Sequence, residues 1–183
     1  MRQRFIPFLL ALAFIASSVS AQTTWTVQEG SSIVIDGKSN KSDWSVTANQ
    51  FTGSFVFEDD FPQSGDLVVT VREIKSGRSL IMDRLMYGAF QADDHEEIAF
   101  NLDSAEEGED GIWLMSGNLT MTGTTNPVTV QLASADAAEG QKHFTGTYEL
   151  KMSDYEMKAP TAMFGSLITK DDVLITFDLT LGQ

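Results

Sequence analysis

The sequence predicts an all-β, antiparallel fold with one short helix, and three observations carry that prediction. Apolar residues alternate with polar ones in about ten segments of the 183-residue chain. Turn residues punctuate these segments at the spacing of a sandwich or barrel. A spacing of three and four, the helical signal, is convincing only once, between Ser79 and Phe90.

Arg2 and Arg4 precede an apolar run, Phe5 to Ala16, and Val19 and Ala21 stand where a signal peptidase reads small residues. Residues 1–21 are therefore expected to be an export signal, and 22–183 one folded domain. The apolar run falls short of the roughly 20 residues that span a bilayer. Trp25 and Val27 open a strand, and Ile33 and Ile35 share the face of a second, with Asp36 and Gly37 expected to break or bend the chain. Trp44, Val46 and Ala48 mark a third strand, entered through an irregular loop. Phe51, Gly53, Phe55 and Phe57 form an aromatic face, Glu58 to Gly65 reads as the turn after it, and Leu67, Val69 and Val71 resume alternation.

In the helical stretch, Leu80, Ile81, Leu85, Met86, Ala89 and Phe90 make the apolar stripe, with Asp83, Arg84 and Gly88 off it. So short a helix is marginal alone and is expected to bury its stripe against the sheet or over its open end. Strands follow at Ile98–Leu102 and Ile112–Met115, the latter with Ile112 and Leu114 on one face and Trp113 and Met115 on the other. A hairpin over residues 117–130 has Leu119, Met121, Val128, Val130 and Leu132 on one face, with Gly123 to Pro127 as its turn and Pro127 suited to the first residue of a strand. Residues 133–142 read as a loop, Tyr148, Leu150 and Met152 as a strand, and Met157 to Gly165 as an irregular apolar crossing. Val173, Ile175, Phe177, Leu179 and Leu181 give the cleanest alternation.

The chain carries 12 Lys and Arg against 26 Asp and Glu, a net charge of -14, which moves to about -16 without Arg2 and Arg4. Such acidity argues against nucleic-acid phosphates and anionic membrane surfaces as partners. Cysteine is absent, so stability rests on an apolar core, and thiol chemistry and lipid attachment at an N-terminal cysteine are excluded.

The run Gly117–Val128 (GNLTMTGTTNPV) is similar to the G-x-L-T-[IM]-x-G-x-T-x-P-V hairpin of the YceI-like family. Met82–Phe90 (MDRLMYGAF), followed by Ile98-Ala-Phe, resembles that family's helix and next strand. Phe144–Tyr155 (FTGTYELKMSDY) and Val173–Phe177 fit its ending. Gly37–Trp44 (GKSNKSDW) resembles the G-x-S-x-x-H-D-W of one branch, with Ser42 in place of histidine, and Glu97 stands where many members have proline. The resemblance implies an exported, lipocalin-like antiparallel β-barrel with one short helix near the barrel end. It also implies a polyisoprenoid, quinone or fatty-acid derivative held in the interior, with no cofactor and with a homodimer left open.

Seven methionines lie beyond the signal: Met82, Met86, Met115, Met121, Met152, Met157 and Met163. Methionine suits surfaces that must fit a long apolar chain without one fixed shape. With the aromatics on the same phases, the expected ligand-binding set is Phe55, Phe57, Met82, Leu85, Met86, Phe90, Phe100, Met121, Tyr148, Met152 and Phe177, with Arg84 favoured over Arg72 and Arg78 for a polar head. Catalysis has little support, since His95 and His143 each sit in a polar loop without a nucleophile beside them. The Asp93–Glu97 run lacks the glycine-punctuated spacing of a calcium loop and reads as solvated charge. Three readings compete with an exported lipid carrier: an outer-membrane barrel, a sandwich or barrel interaction module without lipid, and a β-barrel enzyme.

Overall fold

The computed structural model describes residues 21–78, 80–162 and 164–183. The expected export signal lies outside the described residues, apart from Ala21, as do Ser79 and Met163. Strands β1 (Gln22–Val27) and β2 (Ser32–Ser39) follow one another along the same edge of the long strand β12 (Leu167–Gly182), with Val27 opposite Leu181 and Ile33 opposite Phe177. Strands β3 (Asp43–Ala48) and β4 (Phe51–Glu58) pair back on β2 and β1. Strand β5 (Phe61–Thr70) runs beside β4 and continues through a 3-10 turn at Val71–Glu73 into β6 (Ile74–Lys75), which pairs with β3. Strands β7 (Glu97–Glu107), β8 (Ile112–Met121), β9 (Thr124–Ala135) and β10 (Gln141–Lys151) complete the circuit to β12, and β11 (Thr161–Ala162) pairs with the start of β12. Because β1 also pairs with the end of β12, the result is a closed antiparallel barrel of eight strands.

The period of two decides which way the barrel is greasy. Phe55, Phe57, Val128, Leu132, Leu179 and Leu181 are buried inside, while Thr129, Gln131, Thr147, Glu149 and Lys151 face out. A lipid-facing barrel needs the reverse arrangement. Among the described residues no helix is long and apolar enough to cross a membrane.

Several turns are tighter than the sequence implies. Asp59 and Asp60 have φ of 47° and 70°, the left-handed pair that matches strand twist in a two-residue hairpin. The turn expected over Glu58–Gly65 is thus two residues long, and Pro62 lies within β5 beside a bulge, opposite Phe57. Thr122 and Gly123 do the same between β8 and β9 with φ of 48° and 77°. Pro127 is therefore not the first residue of a strand but lies inside β9, opposite Asn118. It is tolerated there because β10 pairs with β9 only from Gln131 to Ala135, so no ladder on that side asks Pro127 for an N–H. Asp36 and Gly37 do not break the chain either: they continue β2, opposite Leu174 and Val173. The loop expected over residues 133–142 shrinks to the five residues between β9 and β10.

The helix, α1 (Leu80–Ala89), forms where expected but is rotated from the expected orientation. Asp83, read as off the buried stripe, is buried, and its carboxylate accepts hydrogen bonds from Ser76 N–H at 2.9 Å and Ser76 Oγ at 2.6 Å. These bonds hold the Asp83 carboxyl below its usual range. One turn on, the Tyr87 hydroxyl donates to the Arg72 carbonyl at 2.8 Å and lies 2.9 Å from Lys75 Nζ. Residues three, four and seven apart share a helix face, so anchoring Asp83 and Tyr87 turns Met86 and Phe90 inward. Leu80, Ile81 and Leu85, expected to be buried, face solvent instead.

Candidate functional site

Between the strand walls lies a chamber lined by apolar side chains from every long strand of the barrel, the Tyr148 hydroxyl being the one polar group among the lining residues. Phe55, Phe57, Phe100, Phe144 and Phe177 supply the aromatic walls. Ile33, Ile35, Leu67, Val69, Ile74, Ile98, Leu119, Val128, Val130, Leu132, Ile175, Leu179 and Leu181 supply the aliphatic ones, with Met115 between them. The cavity volume is about 110 Å3. Such a lining suits an apolar ligand.

The two ends are stopped differently. At the end carrying the β4–β5 turn, Trp25 meets Phe57 edge to face at 6.1 Å and Phe61 meets Trp113 at 5.4 Å. Lys142 Nζ sits 4.8 Å from the Trp25 ring centre and 2.6 Å from Asp60 Oδ1. At the helix end a second apolar cluster closes the barrel: Met121, Leu150, Met152, Tyr155, Met157 and Val173. Burial pushes the Tyr155 hydroxyl up to about 12. Trp44, Phe90, Ile35, Ile98 and Ile175 pack against both this cluster and the main core, and so form the layer between chamber and stopper.

Tryptophan hydrogen bonding differs between the ends. Trp25 Nε1 donates to Thr23 Oγ1 and Trp113 Nε1 to Ser134 Oγ, both at 3.1 Å. Trp44 Nε1 is buried and has no hydrogen-bond partner among the described residues. Its ring lies so close over Gly37 that a Cβ there would stand 2.1 Å from it. Buried indole N–H groups are normally paired, because an unmet donor costs about 1–3 kcal/mol.

Outside the barrel, His143 Nε2 lies 2.8 Å from Asp178 Oδ1 and its Nδ1 3.1 Å from the Asp136 carbonyl oxygen. The Asp178 carboxylate foremost, and then the Asp136 carbonyl, raise the His143 pKa above its ordinary 6.5. A raised folded pKa contributes stability that is full below about 6.5 and is lost as pH rises through the higher folded value. The melting temperature is therefore expected to be slightly lower at about pH 8 than at about pH 6, with Asp178→Asn flattening the difference. Equal slopes in the two proteins would show that the pair carries no linkage.

A sequence profile for the YceI-like domain matches residues 25–181, nearly the whole barrel. The chain belongs to the YceI-like family. Curated relatives of this YceI-like chain include proteins named UPF0312 from Pseudomonas aeruginosa strains LESB58 and UCBPP-PA14, each 27% identical over 128 residues that cover 60% of this chain. The matched part spans 61% of the length of those relatives. Among solved structures, Burkholderia cenocepacia BcnA superposes with a TM-score of 0.72 at 19% identity, covering 82% of this chain and 95% of its own. A polyisoprenoid binding domain from Saccharophagus degradans, implicated in plant cell wall breakdown, gives 0.69 at 14% identity, covering 86% and 97%. The YceI protein of Campylobacter jejuni gives 0.64 at 13% identity, covering 100% and 99%. At these identities the likeness speaks to the fold.

Within this YceI-like barrel, five residues of the expected ligand-binding set stand on the chamber wall: Phe55, Phe57, Phe100, Tyr148 and Phe177. Met121 and Met152 lie in the stopper, and Met86 and Phe90 pack beneath the helix. Met82, Arg84 and Leu85 are exposed on α1. Among the described residues the methionines thus gather at the helix end, only Met115 reaching the wall. The missed wall residues are Phe144, Met115 and the plain aliphatic ones, most of which carried the right alternation but no distinguishing chemistry. Among the described residues no group of three or more His, Cys, Asp or Glu is placed to hold a metal.

Proposed function

We propose that the protein is an exported carrier for one chain-like lipid with a neutral, hydrogen-bond-accepting head, its tail in the chamber and its head toward Trp44. The apolar chamber enclosed by the barrel carries this reading. Each buried CH2 of a tail contributes about 0.8 kcal/mol before ordering costs, so ten or so carbons suffice for firm binding with few polar contacts. The fold shared with a polyisoprenoid binding domain supports the same class of ligand, and the signal-like residues 1–21 support a periplasmic or secreted location.

A neutral head is favoured because among the described residues no Lys or Arg side chain lines the chamber, and an unpaired buried phosphate would be costly. The Tyr148 hydroxyl stands on the chamber wall, and the Trp44 indole, unpaired among the described residues, packs in the layer between chamber and stopper. The role is binding, with no catalytic step assigned.

Organic extraction of protein purified from its host, followed by mass spectrometry, tests the reading. One polyprenyl or long acyl lipid per barrel is expected, and repeated absence of any lipid would favour an interaction module. Trp44→Phe should weaken binding of that lipid by about threefold to tenfold, the worth of one hydrogen bond. A phosphate-headed lipid whose affinity falls with Arg84→Ala would assign the head to the helix instead.

A further inference from the structure

Strand β10 carries a lysine where its pattern asks for an apolar side chain. Lys142 shares the inward face with Phe144 and Tyr148, both on the chamber wall, and stands opposite Leu181, another wall residue. Its side chain is only 19% exposed. A charge turned toward a barrel interior is costly unless it is paired, and this one is held. Nζ lies 4.8 Å from the Trp25 ring centre, 5.1 Å from that of Phe57 and 2.6 Å from Asp60 Oδ1. The hydrogen bond from Lys142 keeps the Asp60 carboxyl below its usual range. Asp60 is placed to accept it by the left-handed turn between β4 and β5.

Phe57 joins this arrangement to the chamber. It stands on the wall and is 2% exposed, and its ring also meets Trp25 edge to face at 6.1 Å. Trp25 is buried too, and its indole N–H is tied to Thr23 Oγ1. Beyond Phe57, therefore, the interior passes from hydrocarbon to a clamped cation within 5.1 Å of the ring centre. The other end is closed differently, by a cluster that includes Met121, Met152 and Met157. Methionines adapt their shape at little cost. Rings fixed against one another and against a paired ammonium do not.

We propose that Phe57, backed by Trp25 and the Lys142 ammonium, is the floor of the lipid site and fixes the longest tail the barrel accepts. The floor has this role only if the tail occupies the chamber with its head toward Trp44, as proposed for the carrier. A tail reaching down from Trp44 gains with each CH2 it buries until its last methyl meets Phe57. One carbon more must lift a buried ring off Trp25 and lay hydrocarbon against the ammonium, which receives no partner in place of the ring faces. The wall then supplies affinity, and the floor supplies discrimination by length.

Neutral methyl esters of straight-chain fatty acids, offered to the lipid-extracted protein in pairs of neighbouring length, provide the test, with native mass spectrometry reading which of each pair is bound. In the parent, each added CH2 should raise affinity about fourfold up to a break, beyond which affinity falls. In Phe57→Ala the break should move to longer tails, so that the first ester past the parent's break gains a further fourfold or so instead of losing. Lys142→Met keeps the stem and removes the charge. It should turn the fall past the break into a plateau, and keeps the test open if Phe57→Ala folds poorly. Leu119→Ala, on the wall where it packs against the stopper, should weaken all tails alike and leave the break in place, which a merely loosened barrel would not do. An unbroken climb in the parent, a break unmoved in Phe57→Ala with no plateau in Lys142→Met, or an equal move in Leu119→Ala would overturn the floor and leave the carrier standing. No ester bound at any length would overturn both.

Discussion

Val130→Trp should empty the barrel. Val130 stands on the chamber wall, so the indole extends into the space a lipid tail would occupy, and extraction of the purified variant should yield no lipid. Filling a tight core costs about 1–3 kcal/mol, but here the chamber receives the added atoms. The lipid-free variant should therefore melt no lower than the lipid-free parent, as measured by calorimetry. A folded variant that still carries a full complement of lipid would place the ligand elsewhere, and the carrier reading would lose its site.

The second large effect is on folding. In Gly117→Val the new Cβ would stand 2.1 Å from the Asn101 carbonyl oxygen and 2.9 Å from the Phe100 ring. Asn101 belongs to the neighbouring strand β7, opposite Asn118, so the clash is with backbone that cannot step aside as a side chain can. Strands β7 and β8 must part, with loss of packing and of ladder hydrogen bonds together. A cost of about 3 kcal/mol or more is expected, which for a domain of this size lowers the melting temperature by roughly 6–12 °C or leaves the chain insoluble. Gly88→Ala is the contrast. Its Cβ meets nothing within 4 Å, and it should gain about 0.5–1 kcal/mol from reduced backbone freedom in the helix. Should the two variants melt alike, the close approach at Gly117 would not be what the strand pair requires.

Alternation made the barrel legible, and the resemblance in the hairpin at Gly117–Val128 made it specific. The aromatic phases of Phe55, Phe57, Phe100, Tyr148 and Phe177 led directly to the chamber wall. A period of two reports the face of a strand but not the height along the barrel axis. Met121, Leu150 and Met152 therefore read like wall residues although they lie in the stopper. Turn length failed for a local reason: Pro62 and Gly65 are strong breakers on paper, yet the left-handed pair Asp59 and Asp60 reverses the chain before either is reached. Helix orientation was out of reach because Ser76 and the Arg72 carbonyl fix it through tertiary polar contacts, whereas the apolar stripe alone argues for the opposite rotation.

The circuit of strands is not uniformly sewn. Strand β8 is laced to β9 from Ile112 opposite Ala133 through to Met121 opposite Thr124, but β1 holds β12 only where Thr26 meets Gly182 and Val27 meets Leu181. Between there and β2 the join passes through Thr180, whose carbonyl accepts from Gln28 N–H at 2.8 Å and whose N–H donates to Ser31 Oγ at 3.0 Å. Thermal breathing of the cylinder will concentrate along that seam, and deuterium should reach its amides well before those of β8. The wall beside Leu181, closed by only two residue pairs, is then where the cylinder is most easily parted.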